Sequence, residues 1–327
     1  MLVDIVNGQV KDNAVSIIVL NNQINEELCA SIDRNVLFVR IGRPKGSKNP
    51  WYFIKMNYVI NSFKPDIVHI HMTGLYRFYK LTYPIVFTAH SNMIKKEDVL
   101  HYPIIYCISK AVENTCKQLG ANETRVIYNG IHTDNIIPKI SHSFNKNIVC
   151  VGRLARVKGQ QVLIDAMNVI VNKEARLTIN LSIIGSGDTE SELKEMVKSY
   201  NLQGNVHFLG SKSREFIFQH LKDYDLLVMP SINEGFGLTL AEAMAAKIPV
   251  LCSDLDGPME IIDHGRLGDY FKSGNAESLA SKIVFCLDNL DFQRLENARK
   301  YVVDRFDINQ TINNYKREYE RIILKES

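Results

Sequence analysis

The 327-residue sequence has no apolar run near the ~18 residues that a membrane-crossing helix needs. Its longest candidates, "AVSIIVL" and "DLLVMP", are bounded by polar residues. Cysteine is sparse and scattered: Cys29, Cys107, Cys116, Cys150, Cys252 and Cys286 form no C-x-x-C and have no histidine at metal-ligand spacing. That excludes a disulfide framework or a zinc ribbon and leaves reduced, mostly buried thiols. There is no low-complexity tract, no short repeat and no opening stretch that reads as a cleavable signal, so the expected location is cytoplasmic. Charge of one sign is not in large excess either. The net charge is +3 and the pI about 8.4, without a dense basic stripe, which argues against a nucleic-acid partner.

What is present is ordinary globular material, 46% hydrophobic and 23% charged, in a chain long enough for two domains. The charge is uneven. Residues 1–140 carry 16 Lys+Arg against 11 Asp+Glu, which leaves −2 for the remainder. In the basic half, Arg40, Arg43, Lys45, Lys48 and Lys55 surround "NPWYFIKMNY", where the only tryptophan, Trp51, lies beside Tyr52 and Phe53. This stretch reads either as a core helix with a solvated face or as a surface for an anionic headgroup.

Short β-branched runs alternate with helical patterns. "AVSIIVL", "VLFVRIG", "DIVHIH", "PIVFTAH", "PIIYCIS" and "RVIYNG" precede a polar stretch at residues 136–147, expected to be a linker. "NIVCVGR", "LTINLSIIG", "VHFLG", "DLLVMPS" and "PVLCSD" follow it. Near-continuous apolar strands between helices predict parallel sheets covered on both faces, hence an α/β fold of two Rossmann-like halves. The expected division is residues 1–140, 141–305 and a terminal helix, 306–327. In that helix Ile308, Ile312, Tyr315, Tyr319 and Ile322 share one face, which could pack within its own domain or cross back to the first.

Ligands of open α/β sheets bind at the carboxyl ends of strands, and the chemically interesting residues are expected there. "VMPSINEGFGLTLAEAMA" reads as strand, turn and helix, with Glu234 in the loop and Glu242 two turns into the helix. The glycines allow close backbone approach, a helix start attracts phosphate, and a carboxylate accepts paired hydrogen bonds from vicinal hydroxyls. A diphosphate between two polyols is a nucleotide sugar. Glu242 as a surface helix residue and Glu234 as a first-turn carboxylate are the plain structural alternatives. "CVGRLARVKGQQVLIDAM" adds Arg153 and Lys158, two cations flanked by glycines, suited to a departing diphosphate. Arg156 is expected to face solvent. "SIIGSGDTESEL" lacks the third glycine of a dinucleotide fingerprint, Glu190 standing in its place, and reads as structural.

Taken together, "VGRLARVKG", "EGFGLTLAE" and "RVIYNGIHTDNIIP" resemble the retaining glycosyltransferases of family 4. The resemblance implies a GT-B fold, two Rossmann-like domains with parallel sheets facing across a cleft. It implies that Arg153 and Lys158 hold the donor diphosphate, that Glu234 holds hydroxyls of the transferred sugar and that Glu242 holds the ribose. Gly235, Phe236, Gly237, Leu238 and Thr239 would lie against the donor, and His90 in "VFTAH" would reach the sugar from the opposite domain. A metal-independent hexosyltransferase follows, with a UDP- or GDP-sugar as substrate and no cofactor. Its acceptor would be a glycan or polyprenyl-diphosphate-linked glycan of a surface polysaccharide such as O-antigen or capsule, handled at the inner face of the cytoplasmic membrane. His69 and His71, on one strand face by alternation, read as one structural histidine and one acceptor contact, not a metal pair.

The chain departs from the family at its start. "LVDIVNGQV" resembles the body of the first helix and "AVSIIVL" the second strand, so the first strand and its glycine-rich turn are expected to be missing from the N-terminal sheet. His132 in "NGIHTDN" stands where the family more often has Asp. Two further readings remain open: a nucleotide-sugar-binding protein made inactive by that truncation, and a nucleotide-sugar epimerase on the same fold.

Overall fold

The computed structural model describes residues 1–78, 82–141, 146–173 and 178–326. Residues 142–145 of the polar stretch at 136–147 lie outside the described residues. The chain divides into two compact units: residues 1–108, 112–130 and 308–327 form the first, and residues 109–111 and 131–307 the second.

The first unit holds strands β1 (Ser16–Asn21), β2 (Leu37–Arg43), β3 (Val68–Ile70), β4 (Ile85–Ala89), β5 (Ile104–Cys107) and β6 (Glu123–Val126). All pairings are parallel, but they fall into two sheets: β1 with β2, and β3-β4-β5-β6 in sequence order. Among the described residues no ladder joins β1 to β3. Among the described residues one edge of each of these two strands therefore has no strand partner. Helix Leu2–Gln9 packs on the last helix, Ile308–Glu326, at close range: a Cβ on Gly8 would lie 2.4 Å from Ile312 Cδ1. Tyr315 and Ile322 of the last helix join Ile5, Val86, Tyr106 and Ile127 in one buried cluster, so its apolar face is consumed within the first unit.

Helix Trp51–Phe63 turns Phe53, Met56 and Ile60 inward, with Phe53 stacked on Phe78 at 3.8 Å between ring centroids. Its outer face carries Trp51, Ile54 and Tyr58, all exposed, beside the exposed Lys55. Of the neighbouring cations, Arg40 pairs with Glu26 and Arg43 turns to the carbonyl of Ser47. Lys45 and Lys48 are exposed.

The second unit is built on one continuous parallel sheet. Its strands are β7 (Asn147–Val151), β8 (Asn180–Ile184), β9 (Val206–Gly210), β10 (Leu226–Met229), β11 (Val250–Ser253) and β12 (Asp269–Phe271), in spatial order β12-β11-β10-β7-β8-β9. β10 and β11 are buried at every position, as strands covered on both faces by helices must be. The edge strand β12, which periodicity does not reveal, exists through its pairing with β11. The stretch entering this unit is tied down: Lys139 is 8% exposed, and its ammonium meets Asp225 Oδ1 and the Tyr224 carbonyl, each at 2.7 Å.

Candidate active site

The strand order of the second unit reverses between β7 and β10. The chain runs outward from β7 through β8 to β9, then returns to β10 and proceeds the other way. The loops leaving β7 and β10 consequently diverge to opposite faces and open a crevice beyond the strand ends. Both sequence motifs with the expected charges occupy these two loops.

After β7 the chain passes Gly152, Arg153 and a 3-10 turn, Arg156–Lys158, before helix Gln160–Asn168 begins behind Gly159. Gly159 has φ +68°, and a Cβ there would lie 1.9 Å from the carbonyl oxygen of Pro230 at the end of β10. Only glycine lets the two loops approach so closely. The carbonyl of Val157 accepts from the backbone N–H groups of Ile232 and Asn233, at 2.9 and 3.2 Å, which fixes the β10 loop against the β7 turn. Lys158 Nζ is thereby brought to 2.5 Å from Glu234 Oε2. Arg153 and Arg156 are both exposed, the latter paired with Glu192 across the surface.

Beyond Glu234, residues Gly235, Phe236 and Gly237 are buried. The Phe236 ring meets Phe306 edge to face, which leaves its backbone rather than its side chain to the crevice. Helix Leu238–Ala245 starts at Gly237, φ +106°, with no capping side chain, so among the described residues the N–H groups of Leu238 and Thr239 in its first turn are not capped by Gly237. Glu242 lies little more than one turn into this helix, not two, because Gly237 begins it late. Nor is Glu242 on a surface face: it is 8% exposed, in a helix whose residues from Leu240 to Ala245 are all buried. Burial pushes its carboxyl up to about 7, against the opposing pull of Arg214. Near neutrality it is poised between donor and acceptor forms.

Several contributors are not visible in the motifs. Ser109, which belongs to the second unit, donates from Oγ to the Gly235 carbonyl at 2.7 Å and steadies the loop. The "GSG" turn after β8 buttresses the Arg153 segment, Leu154 N–H donating to the Ser186 carbonyl at 3.0 Å. A Cβ on Gly187 would fall 2.2 Å from the Leu154 carbonyl oxygen. The close approach of the two turns requires glycine at both Gly185 and Gly187.

His90 lies in the first unit, exposed just after β4, and its Nε2 is 3.0 Å from His71 Nδ1 just after β3. The ring of His69, on β3, lies tilted against that of His71 with centroids 4.0 Å apart, so alternation does place the two on one face. His69 is held at both nitrogens, by Tyr319 Oη at 2.5 Å and Thr88 Oγ1 at 2.6 Å. Burial lowers the pKa of His69 well below the usual imidazole range, with His71 and His90 adding to it, and that of His71 to about 3; His90, which keeps part of its surface in solvent, is lowered too by desolvation of its ring. All three are neutral at physiological pH. Among the described residues no group of three His, Cys, Asp or Glu side chains is arranged to hold a metal.

Two α/β units of parallel sheets, one with its charged loops at a switch point, have the GT-B architecture of glycosyltransferases. A glycosyltransferase from Rickettsia africae superposes with a TM-score of 0.81 over 99% of this chain and 94% of its own, at 21% identity. HepE from Anabaena, solved with UDP and glucose, superposes with a TM-score of 0.81 over 98% and 94%, at 20% identity. The chain belongs to the glycosyl transferases group 1 family, whose model matches residues 133–302, while residues 2–135 match the model of glycosyltransferase family 4. Among curated proteins it is 26% identical over 300 residues to an uncharacterized glycosyltransferase of Methanocaldococcus jannaschii, spanning 83% of this chain and 82% of that one. It is 30% identical over 226 residues to the O-antigen biosynthesis glycosyltransferase WbnH of Escherichia coli, spanning 68% and 60%. Among the described residues no helix is long and apolar enough to cross a membrane.

Proposed function

We propose that this glycosyltransferase moves a hexose from a nucleoside diphosphate to a glycan acceptor with retention of configuration. The observation that carries the reading is the Lys158–Glu234 contact at the switch point, with Glu242 buried one turn further along. A cation for diphosphate, a carboxylate for sugar hydroxyls and a second carboxylate for a ribose then line one crevice. In this reading Arg153 and Lys158 carry the charge of the departing diphosphate, which a preorganised cation does without reorganisation. Glu234 exchanges its ion pair with Lys158 for hydroxyls of the sugar when the diphosphate arrives. The backbone from Gly235 to Thr239, with its uncapped helix start, holds the phosphates and sugar, and Glu242 accepts from the ribose hydroxyls. His90 contacts a hydroxyl of the transferred sugar. The leaving diphosphate takes the acceptor's proton as the acceptor oxygen attacks from the same face, so the proposed step uses neither a protein nucleophile nor a metal.

The names of relatives in O-antigen and amylovoran biosynthesis support a surface-polysaccharide acceptor. A polyprenyl-diphosphate carrier suits the outer face of helix Trp51–Phe63, where Trp51, Ile54 and Tyr58 stand beside Lys55, and the protein would work at the inner face of the cytoplasmic membrane. The test is to incubate the protein with UDP- and GDP-hexoses and a polyprenyl-diphosphate-linked oligosaccharide. Acceptor-dependent release of one nucleoside diphosphate is expected, with a product whose anomeric proton coupling matches the donor. Inversion, or donor conversion to an epimer without acceptor, contradicts the proposal.

A further inference from the structure

We infer that His71 is a positioning residue that holds His90 in the same tautomer as itself, so that the two rings present one donor and one acceptor as a matched pair. This rests on the reading of His90 as the sugar-contacting histidine. The geometry is confined to the first unit. His71 Nδ1 and His90 Nε2 are 3.0 Å apart, and no other hydrogen bond from the described residues reaches either ring. Both rings are neutral, and a hydrogen bond between neutral imidazoles needs one proton at the contact.

Only two arrangements satisfy that requirement. If His71 Nδ1–H donates, His71 Nε2 is left an acceptor, and His90, whose Nε2 accepts, carries its proton on Nδ1. If His90 Nε2–H donates, His90 Nδ1 is an acceptor and His71 carries its proton on Nε2. In both cases the two outer nitrogens have opposite roles, and both rings are the same tautomer. A sugar hydroxyl is itself a donor and an acceptor, and a pair of this kind meets either demand. His71 is held for the task from behind. Its ring lies 4.0 Å from that of His69, which is clamped by Tyr319 of the last helix and by Thr88. Thr88 in turn lies 3.3 Å from Tyr315 Oη. A polar chain through β3, β4 and the last helix thus fixes His69, against whose ring His71 packs.

The test is long-range 1H–15N correlation of the histidine rings in the full chain labelled with 15N-histidine, without ligand. The wild type is expected to show His71 and His90 neutral at pH 7 and in the same tautomer, both Nδ1–H or both Nε2–H. Opposite tautomers overturn the inference, because the contact would then hold two protons or none. This arm needs no variant to fold. In His71→Phe, which keeps a ring on His69 but has no nitrogen, His90 is expected to become a tautomer mixture. In His71→Asn, whose amide stands near the lost Nδ1, a single tautomer is expected to return. An unchanged His90 spectrum in His71→Phe overturns the inference. With UDP-glucose or whichever donor the wild type consumes, His71→Phe is expected to raise KM about tenfold, the loss of one neutral hydrogen bond, with kcat less affected. Failure of the transfer reaction itself would count against the proposed function, while the ring spectra decide the pairing independently.

Discussion

The two units solve the parallel-sheet problem differently. Among the described residues the second carries six strands in one unbroken sheet over a large buried cluster, and its candidate groups are ionic. The first carries two strands apart from four, over smaller clusters, and its chemically distinctive groups are neutral imidazoles. Their titrations run in opposite directions. Glu242 has a raised pKa, so the folded second unit binds a proton that the unfolded chain releases, and its contribution to stability is lost as pH rises from the usual carboxyl range through about 7. The histidines have lowered pKa values, so the first unit is favoured above the usual imidazole range and loses stability as pH falls below about 6.5. The ionic groups thus sit on the unit with the unbroken sheet, and the neutral imidazoles on the unit whose strands fall into two sheets.

The largest effect that sharpens this contrast is catalytic. Lys158→Ala and Arg153→Ala are each expected to lower kcat on the order of 10²–10³-fold with an unshifted melting temperature. Wild-type turnover in both would remove the second unit's role. Glu242→Gln is expected to stabilise the protein by up to about 3 kcal/mol above pH 8, because the cost of ionising a buried carboxyl disappears, while donor affinity falls. Chemical denaturation at pH 5 and pH 8 measures it, and an equal effect at both contradicts the burial argument. A smaller effect distinguishes the units directly by amide exchange. On moving from pH 8 to pH 5, after correction for intrinsic rates, β3 and β4 are expected to lose protection, about 2 kcal/mol from His71 alone, while β10 gains it. β1 and β2, joined to no other strand, are expected to exchange faster than β7 and β8 at either pH. The smallest effect is a control: Arg156→Ala, which removes an exposed ion pair, should leave turnover within about twofold of wild type.

Most of the strands were legible because β-branched runs such as "SIIVL" and "NIVCV" must be buried on both faces. β12 was not, since three residues, "DYF", have no period to read and gain their structure from β11. At the candidate site, residue types and loop positions were legible, whereas contacts were not. Lys158 and Glu234 are 76 residues apart in sequence, and their 2.5 Å contact depends on β7 and β10 being neighbours at the switch point. The burial of Glu242 was hidden by its charge, although its neighbours in "LTLAEAMA" from Leu240 to Ala245 are small or apolar and all buried. The His71–His90 contact follows from the register of β3 on β4, which pairs Ile70 with Phe87 and brings the two strand ends side by side. No pattern along a single strand contains that information.

The central claim is that the loops after β7 and β10 form a nucleoside diphosphate site, and isothermal titration of the wild type and Lys158→Ala with UDP and GDP tests it most directly. The account predicts that the wild type binds one of the two, and that the variant, equally well folded, binds it at least about tenfold more weakly, the loss of one charge-assisted contact. Binding of neither nucleotide, or equal binding by both proteins, would contradict it.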